Sequence, residues 1–316
     1  MATPRLIMQL DVEDIRAEPG DVRIITFRHP LKPRLPAYQP GAHIDLHLPS
    51  GLVRQYSLLG DYKDHSRYVV GVKREANGRG GSAWLHENLG VGDRLPVSAP
   101  RSHFALAEGE RHLLLAGGIG ITPILSMARS LSDSGKPFTL HYFARSRSVT
   151  PLLAEIGQAL NPASVILHFD DDPDTRIDLG VLLAKRAAGE QLYYCGPPGF
   201  MAAVERFSSD WPEDAVNFEA FAAPPDETFV PEPFVIRLAS SGAELQVPAE
   251  ETALSVLRAA GVSLASSCKN GACGSCECGY VGGTPLHRDG VLKPRARANR
   301  FIPCVSRAKG TLTLDL

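Results

Sequence analysis

The sequence predicts a multidomain chain with three successive folds: an antiparallel β-barrel, an α/β domain with a parallel sheet, and a small α+β domain. Three observations predict this order. Short alternating strands, separated by proline and glycine, run to about residue 100. Apolar strands then alternate with helical patterns, which is typical of a parallel sheet covered by helices. The last part combines a hairpin, one helix and a cysteine-rich loop, as expected for a small sheet that clasps a helix.

Composition excludes several classes of protein. The 316 residues are enough for two or three domains, and 44% hydrophobic with 22% charged residues is ordinary for a globular chain. A net charge of −2 gives no reason to expect nucleic-acid binding. No apolar run is long enough to span a membrane, and the N-terminus lacks the apolar segment of a secretory signal. We therefore expect a cytoplasmic protein that does not enter membranes.

Residues 1–105 are predicted to form the barrel, because their short strands are evenly spaced. The predicted strands are 5–12, 22–28, 42–48, 52–58, 67–74 and 94–98, with a helix at 82–89. Arg54 and Tyr56 share one face of the fourth strand, while Gln55 and Ser57 share the other. A tyrosine ring suits stacking on a flavin, a serine hydroxyl can hydrogen-bond a ring nitrogen, and a guanidinium can hold a phosphate. Taken alone, this segment is more often an ordinary strand.

A second stretch in the same domain is Gly78-Arg79-Gly80-Gly81-Ser82. Glycines that run into a helix expose backbone N–H groups to an anion, and Ser82 is expected to cap the helix and donate to a phosphate. Glycine-rich turns usually serve only to turn the chain. The two stretches support each other because both fall in one barrel-like domain.

Residues 106–223 are predicted to form the α/β domain. A continuously apolar strand ends in Gly117-Gly118-Ile119-Gly120-Ile121-Thr122-Pro123, and an amphipathic helix follows. We expect Thr122 to cap this helix and Pro123 to be its first residue. A strand, a glycine turn and a helix start form a pyrophosphate-binding arrangement, although such a turn also has a purely structural use. Further strands are predicted at 138–143, 164–169 and 191–195, and helices near 150–159, 178–187 and 199–207.

The strand at 191–195 leads into a second such turn, Cys195-Gly196-Pro197-Pro198-Gly199. Ligands of parallel sheets bind at the carboxyl ends of the strands, so the two turns would flank one dinucleotide. Cys195 would lie beside the nicotinamide, or it is an inert buried thiol. Arg145 and Arg147 follow the second strand and suit a 2′-phosphate, so the residues leave NADH or NADPH open.

A linker is predicted at 224–232, followed by the third domain at 233–316. This domain should contain a hairpin (234–239 and 245–247), a helix at 252–260 ended by Gly261, and a last strand at 311–316. Cys268, Cys273, Cys276 and Cys304 have the C-x4-C-x2-C…C spacing of a plant-type [2Fe–2S] cluster. A disulfide framework is disfavoured in a large chain without a secretory signal, and zinc usually requires two C-x2-C pairs.

Cys278 lies outside this pattern and is expected to be a packed residue on the strand that leaves the loop; a swapped ligand is the alternative.

These motifs, in this order, resemble the phthalate dioxygenase reductase and vanillate O-demethylase reductase family over nearly the whole length. The resemblance implies an FMN-binding barrel, an NADH-binding domain and a ferredoxin domain of the β-grasp type. It implies that the chain is a monomer that passes electrons from NADH through FMN and [2Fe–2S] to a separate Rieske-type oxygenase acting on aromatic compounds. By matching position, the cofactor contacts would come from Arg54, Tyr56, Ser57, Gly80, Gly81, Ser82, Gly118, Gly120, Thr122, Cys195, Gly196, Pro197 and Phe221.

Ser57, Tyr56 and Cys195 are the expected catalytic residues, and Phe218 and Phe221 match an aromatic segment that lies near the flavin in the family. A stand-alone NAD(P)H oxidase or quinone-type reductase is the alternative function. A redox sensor is disfavoured, because a sensor has no need of a nucleotide domain.

Overall fold

The computed structural model describes residues 6–76, 78–223 and 228–316. The described residues form two compact units, one ending at Phe218 and the other running from Glu219 to Leu316. The first four residues of the predicted linker, 224–227, and the first five of the predicted barrel domain lie outside the described residues. The division of the first unit at residue 105 stays a prediction.

The first unit begins with an antiparallel barrel, as predicted. Its elements are β1 (Ile7–Glu18), β2 (Val22–Arg28), β3 (Ala42–His47), β4 (Val53–Ser57), β5 (Arg67–Lys73), α1 (Gly81–Glu87), β6 (Arg94–Ser98) and β7 (Arg101–Ser102). The strand order is β4-β3-β6-β1-β2-β5, and β7 pairs with β3. A bridge from Leu58 to Val70 links the end of β4 to β5 and so closes the sheet. Apolar residues that alternate along the strands, such as Leu10, Phe27 and Ile44, fill the interior.

The second half of the first unit is a parallel sheet with helices. Its elements are β8 (Arg111–Gly117), α2 (Ile121–Asp133), β9 (Phe138–Ala144), α3 (Leu153–Ala159), β10 (Val165–Phe169), α4 (Leu179–Leu183), β11 (Glu190–Cys195), α5 (Pro198–Phe207) and β12 (Val216–Glu219). The order is β10-β9-β8-β11-β12, and the first four strands are parallel. Strands β9 and β10 therefore lie on one side of β8, and β11, which follows them in the chain, lies on the other side. This reversal is the position where open α/β sheets bind ligands.

Two capping predictions are wrong. A 3₁₀ turn at Gly118–Gly120 runs directly into α2, so α2 starts at Ile121, with Thr122 and Pro123 inside its first turn. The Thr122 hydroxyl donates to the Ile119 carbonyl instead of capping. Likewise, Gly80 precedes α1, and the Ser82 hydroxyl accepts the N–H of Glu75. In both cases the side chain satisfies a neighbouring loop group, because the helix starts one or two residues earlier than the pattern indicated.

The second unit is a small mixed sheet with one helix. Its elements are β13 (Phe234–Leu238), β14 (Glu244–Val247), α6 (Ala253–Ala259), β15 (Cys278–Leu286), β16 (Arg300–Phe301) and β17 (Arg307–Leu314), in the order β14-β13-β17-β15-β16. Thr252 caps α6 by accepting the N–H of Ser255, and Gly261 follows with a φ of +81°. In the part of the chain that the structure describes, no helix is long and apolar enough to cross a membrane.

Candidate cofactor sites and family

The two glycine-rich turns lie side by side at the carboxyl ends of β8 and β11. These strands are parallel neighbours in which Cys195 opposes Ala116. A Cβ atom on Gly120 would overlap the carbonyl oxygen of Cys195, and one on Gly196 would lie 2.6 Å from the Phe200 ring. The backbones of the two turns therefore pack directly on each other, which only glycine permits. This close packing is what brings the two predicted dinucleotide segments together.

The first of these glycine turns leaves open space at Gly118. Its φ is +51°, and a Cβ atom there would have no neighbour within 4 Å. The Thr122 side chain is buried instead. Its methyl group packs against Gly71 of the barrel strand β5, so closely that a Cβ atom added to Gly71 would be only 2.9 Å away. Gly118 thus offers backbone to a ligand, whereas Thr122 holds the turn against the barrel.

Cys195 is fully buried and belongs to the apolar core around α2 and β8. These surroundings agree with one of the two interpretations from the sequence, that of a buried thiol. A role beside the nicotinamide stays a prediction. Pro197 accepts the N–H of Met201 through its carbonyl and so starts α5 directly after the turn.

Arg54 and the glycine-rich stretch converge, although they lie on different elements. A Cβ atom on Gly81 would come within 2.6 Å of the Arg54 side-chain Cγ, so the guanidinium stem lies across this glycine. Arg54 donates to the carbonyl of Arg79 at 2.9 Å. Burial, and next the positive charge of Arg79, lower the pKa of Arg54. Two guanidinium-bearing residues therefore share one site at the start of α1, an arrangement that a phosphate dianion would stabilise.

Tyr56 and Ser57 point to opposite faces of β4. Tyr56 opposes Ile44 and packs against the barrel core, and its burial raises its pKa. Ser57 is buried and opposes His43. The predicted alternation is therefore present, with Tyr56 on the Arg54 face, while contact of either side chain with a flavin stays a prediction.

The Ser57 face carries a buried polar network that the sequence argument missed. The Gln55 amide donates to Asp45 at 3.1 Å and lies 3.2 Å from the His43 ring, and Arg101 pairs with Asp45 at 2.6 Å. Asp45 is only 1% exposed, so this ion pair stabilises a charge that would otherwise be costly to bury. The signal was the alternation of His43, Asp45 and His47 along β3, with Ile44 and Leu46 between them.

The four predicted cluster ligands lie together in the second unit, and all four are buried. The thiols form two hydrogen-bonded pairs, Cys268 with Cys273 and Cys276 with Cys304. The hydrogen bond from Cys268 lowers the pKa of Cys273 to about 5, whereas the same contact raises that of Cys268. No group of three or more His, Cys, Asp or Glu among the described residues suits a single metal ion. Two pairs of thiols fit the division that a two-iron cluster requires.

The loop 268–276, called the cluster loop below, directs backbone N–H groups at these sulfurs. Asn270 donates to the Cys268 sulfur at 3.5 Å, and Ser275 donates to that of Cys273 at 3.4 Å. Three residues of the loop have left-handed backbone: Lys269, Gly271 and Gly274. The loop therefore curls so that its donors face inward, which stabilises thiolates.

Cys278 is a packed residue on β15, as predicted. It is buried in the core of the second unit, its thiol lies 3.8 Å from the Phe301 carbonyl, and burial raises its pKa to about 12. A thiol that resists ionisation in this way is a poor metal ligand.

The aromatic segment divides between the units. Phe218 belongs to the first unit, where its ring packs 5.6 Å from that of Tyr194. Phe221 belongs to the second unit and is 40% exposed. Its carbonyl accepts the side-chain amide of Asn270, so the cluster loop holds this segment. Proximity of either ring to a flavin stays a prediction.

Residues 236–309 match the family described as the 2Fe-2S iron-sulfur cluster binding domain. The vanillate O-demethylase oxidoreductase of Pseudomonas sp. (strain HR199 / DSM 7063) is 44% identical over 89% of this chain and 91% of its own length. The solved phthalate dioxygenase reductase, described as a modular structure for electron transfer from pyridine nucleotides to [2Fe–2S], is 36% identical, with a TM-score of 0.74 over 98% of both chains. An intact type IV self-sufficient cytochrome P450 monooxygenase is 35% identical, with a TM-score of 0.84 over 98% of this chain and 41% of its own.

The chain belongs to the phthalate dioxygenase reductase family. Both the fold class and the family predicted from the sequence are thereby confirmed. The chain is an oxidoreductase of the reductase type found in oxygenase systems, which transfers electrons from a pyridine nucleotide through a flavin to a [2Fe–2S] centre.

Proposed function

We propose that this chain is the reductase of a two-component Rieske-type oxygenase, and that it works as a monomer carrying FMN and [2Fe–2S] and oxidising NADH. The observation that carries the proposal is the presence in one chain of two packed glycine turns at the sheet reversal, a guanidinium site at the start of α1 and a four-thiol loop. When bound, FMN supplies the conversion of a two-electron hydride donor into one-electron transfers. Aromatic compounds are the proposed substrates of the partner oxygenase.

The residues of this chain have distinct proposed roles. Arg54, with the backbone of Gly80 and Gly81, binds the FMN phosphate, and the Ser82 hydroxyl assists. Tyr56 fixes the flavin ring, and Ser57 hydrogen-bonds its N5 side. The nucleotide would lie along Gly118, Gly120, Gly196 and Pro197, with Cys195 beneath the turn.

The turn after β9 supports NADH rather than NADPH. Arg145 is exposed there, but the backbone N–H groups of Asp170 and Asp171 donate to the carbonyls of Ala144 and Arg145. The acidic turn Asp170–Asp172 therefore lies beside the arginine turn. Carboxylates at this position would repel a 2′-phosphate and leave a ribose hydroxyl acceptable.

The deciding experiment is an anaerobic NADH titration followed by absorbance and low-temperature EPR. Reduction of both a flavin and a rhombic [2Fe–2S] signal supports the proposal, whereas a bleached flavin without any cluster signal favours a stand-alone NAD(P)H oxidase. Coupling to purified Rieske oxygenases then tests the partner class. The likeness to the cytochrome P450 monooxygenase makes a haem oxygenase the second candidate acceptor.

The role of Ser57 has its own test. Ser57→Ala should slow flavin reduction by NADH about tenfold or more, because one hydrogen bond to the reacting region is lost. Stopped-flow absorbance measures this rate, and the cluster spectrum should stay intact. Hydride-transfer kinetics equal to those of the wild type would rule out the assignment.

A further inference from the structure

Charge is unevenly distributed along the second unit. Residues 232–251 carry four carboxylates, on Glu232, Glu244, Glu250 and Glu251, against one cation, Arg237. By contrast, residues 290–300, called the basic loop below, carry Lys293, Arg295, Arg297 and Arg300 and no carboxylate. Arg295 and Arg300 are exposed. Arg300 pairs with Glu277 at 3.4 Å on the surface, and such an exposed pair contributes little stability.

The basic loop is attached directly to the cluster loop. The Gly290 N–H donates to the Gly271 carbonyl at 3.0 Å, and the Val291 side chain lies against Gly274. Leu292 is buried in an apolar cluster together with Cys276, Cys304 and Ile302. The residues that begin the basic loop therefore touch the cluster loop and pack with two of the four thiols.

The loop is also held rigidly. The buried carboxylate of Asp289 accepts the N–H groups of Val291 and Leu292, at 3.2 and 2.8 Å. At the other end, the Arg297 carbonyl accepts the Tyr280 hydroxyl at 2.9 Å and lies 3.0 Å from the His287 ring nitrogen. These contacts fix the backbone of the basic loop at both ends, and its beginning packs with two of the four thiols.

We infer that the basic loop is the docking surface for the electron acceptor, and that the acceptor is a protein with an acidic patch beside its redox centre. The inference rests on the proposed function, which requires a protein acceptor close to the cluster. Complementary charge steers such encounters and sets their orientation. Carboxylates of the acceptor would face Arg295 and Arg300, which are the exposed cations of the loop.

Two one-electron protein acceptors test whether the charge of this docking surface is positive. Cytochrome b5 presents carboxylates around its haem edge, and cytochrome c presents lysines. Added salt should slow the reduction of cytochrome b5 by the holoenzyme with NADH, because screening weakens the attraction, and it should accelerate the reduction of cytochrome c. Arg295→Glu combined with Arg300→Glu should slow cytochrome b5 reduction about tenfold and accelerate cytochrome c reduction.

Lys309→Glu is the matched control, since Lys309 is exposed on β17, outside the basic loop, and the charge change per residue is the same. Its rates should stay within about twofold of the wild type. Equal effects of the control and the loop variants, or a wild-type rate of cytochrome b5 reduction that salt does not slow, would overturn the inference. If the double reversal loses its cluster, Arg295→Gln with Arg300→Gln should still give a smaller loss in the same direction.

The two proposals can fail separately. NADH-dependent flavin bleaching and the cluster EPR signal are measured on each variant without any acceptor. Absence of the cluster signal in the wild type would refute the proposed function. A normal cluster signal with no effect of loop charge would refute only the docking surface.

Discussion

The cluster loop and the flavin and nucleotide region solve the same problem, the holding of a redox group, in different ways. Three of the four thiols come from nine consecutive residues, and the loop bends through left-handed residues to present them. The first unit instead assembles its sites from distant segments, such as Arg54 with Gly81, and Gly120 with Cys195. Loss of one ligand from the cluster loop should therefore abolish binding of the redox group. Loss of one residue from a site in the first unit should only weaken binding, because several groups share each contact.

The largest expected effect is the loss of a thiol ligand. Cys273→Ser should abolish the [2Fe–2S] centre, since two irons need all four thiolates, while flavin reduction by NADH continues. Iron analysis and low-temperature EPR measure the outcome. Cys278→Ser is the control, because Cys278 is an equally buried thiol packed on β15. Unchanged iron content in Cys273→Ser, or iron loss in Cys278→Ser, would show that the ligand set is wrong.

A graded effect is expected where the two glycine turns meet. Gly120→Ala should destabilise the first unit by about 1–3 kcal/mol and raise the KM for NADH, because the new methyl group overlaps the Cys195 carbonyl. Gly118→Ala meets no neighbour and has only its φ of +51° against it, so it should cost about 1–2 kcal/mol at most.

Thermal unfolding and flavin reduction as a function of NADH concentration compare the two glycine variants. A larger loss of thermal stability in Gly118→Ala than in Gly120→Ala would contradict the packed arrangement.

A smaller effect is expected at the guanidinium site. Arg54→Ala should weaken FMN binding roughly tenfold, since one charge-assisted contact of about 1.5 kcal/mol is lost while neighbouring groups remain. Quenching of flavin fluorescence during titration of the apoprotein gives the Kd. Arg74→Ala removes an arginine that pairs with Glu87 on the exposed face and should leave the Kd unchanged. Equal Kd values for the two variants would place the phosphate elsewhere.

The sequence predicted what depends on periodicity and spacing. Strand and helix positions followed from alternation, and the cysteine spacing singled out the four thiols that the fold brings together. It missed features that depend on tertiary neighbours. The short strands β7, β12 and β16 carry too few residues for a pattern, and the caps at Ser82 and Thr122 failed because adjacent loops took their hydroxyl groups. The Asp45 network was missed because its members lie on three strands.

The last expected effect concerns two buried histidines, one on β9 and one on β10. His141 and His168 lie 2.9 Å apart, and burial, with a lesser effect of His168, lowers the pKa of His141 to about 4. The unfolded chain therefore binds a proton more readily, at a pKa of about 6.5. Stability of the first unit should be complete above about pH 6.5, fall as the pH drops toward 4, and lose no more through this group below that.

Tryptophan fluorescence isolates this effect, because both tryptophans, Trp84 and Trp211, belong to the first unit. The urea midpoint should fall between pH 7 and 4, and His141→Gln should flatten that fall, since the group that resists protonation is gone. His65→Gln, at a half-buried histidine beside Arg34, should follow the wild type. If His141→Gln left the pH dependence of the urea midpoint unchanged, the acid sensitivity of this unit would be due to carboxylates rather than to the buried histidine pair.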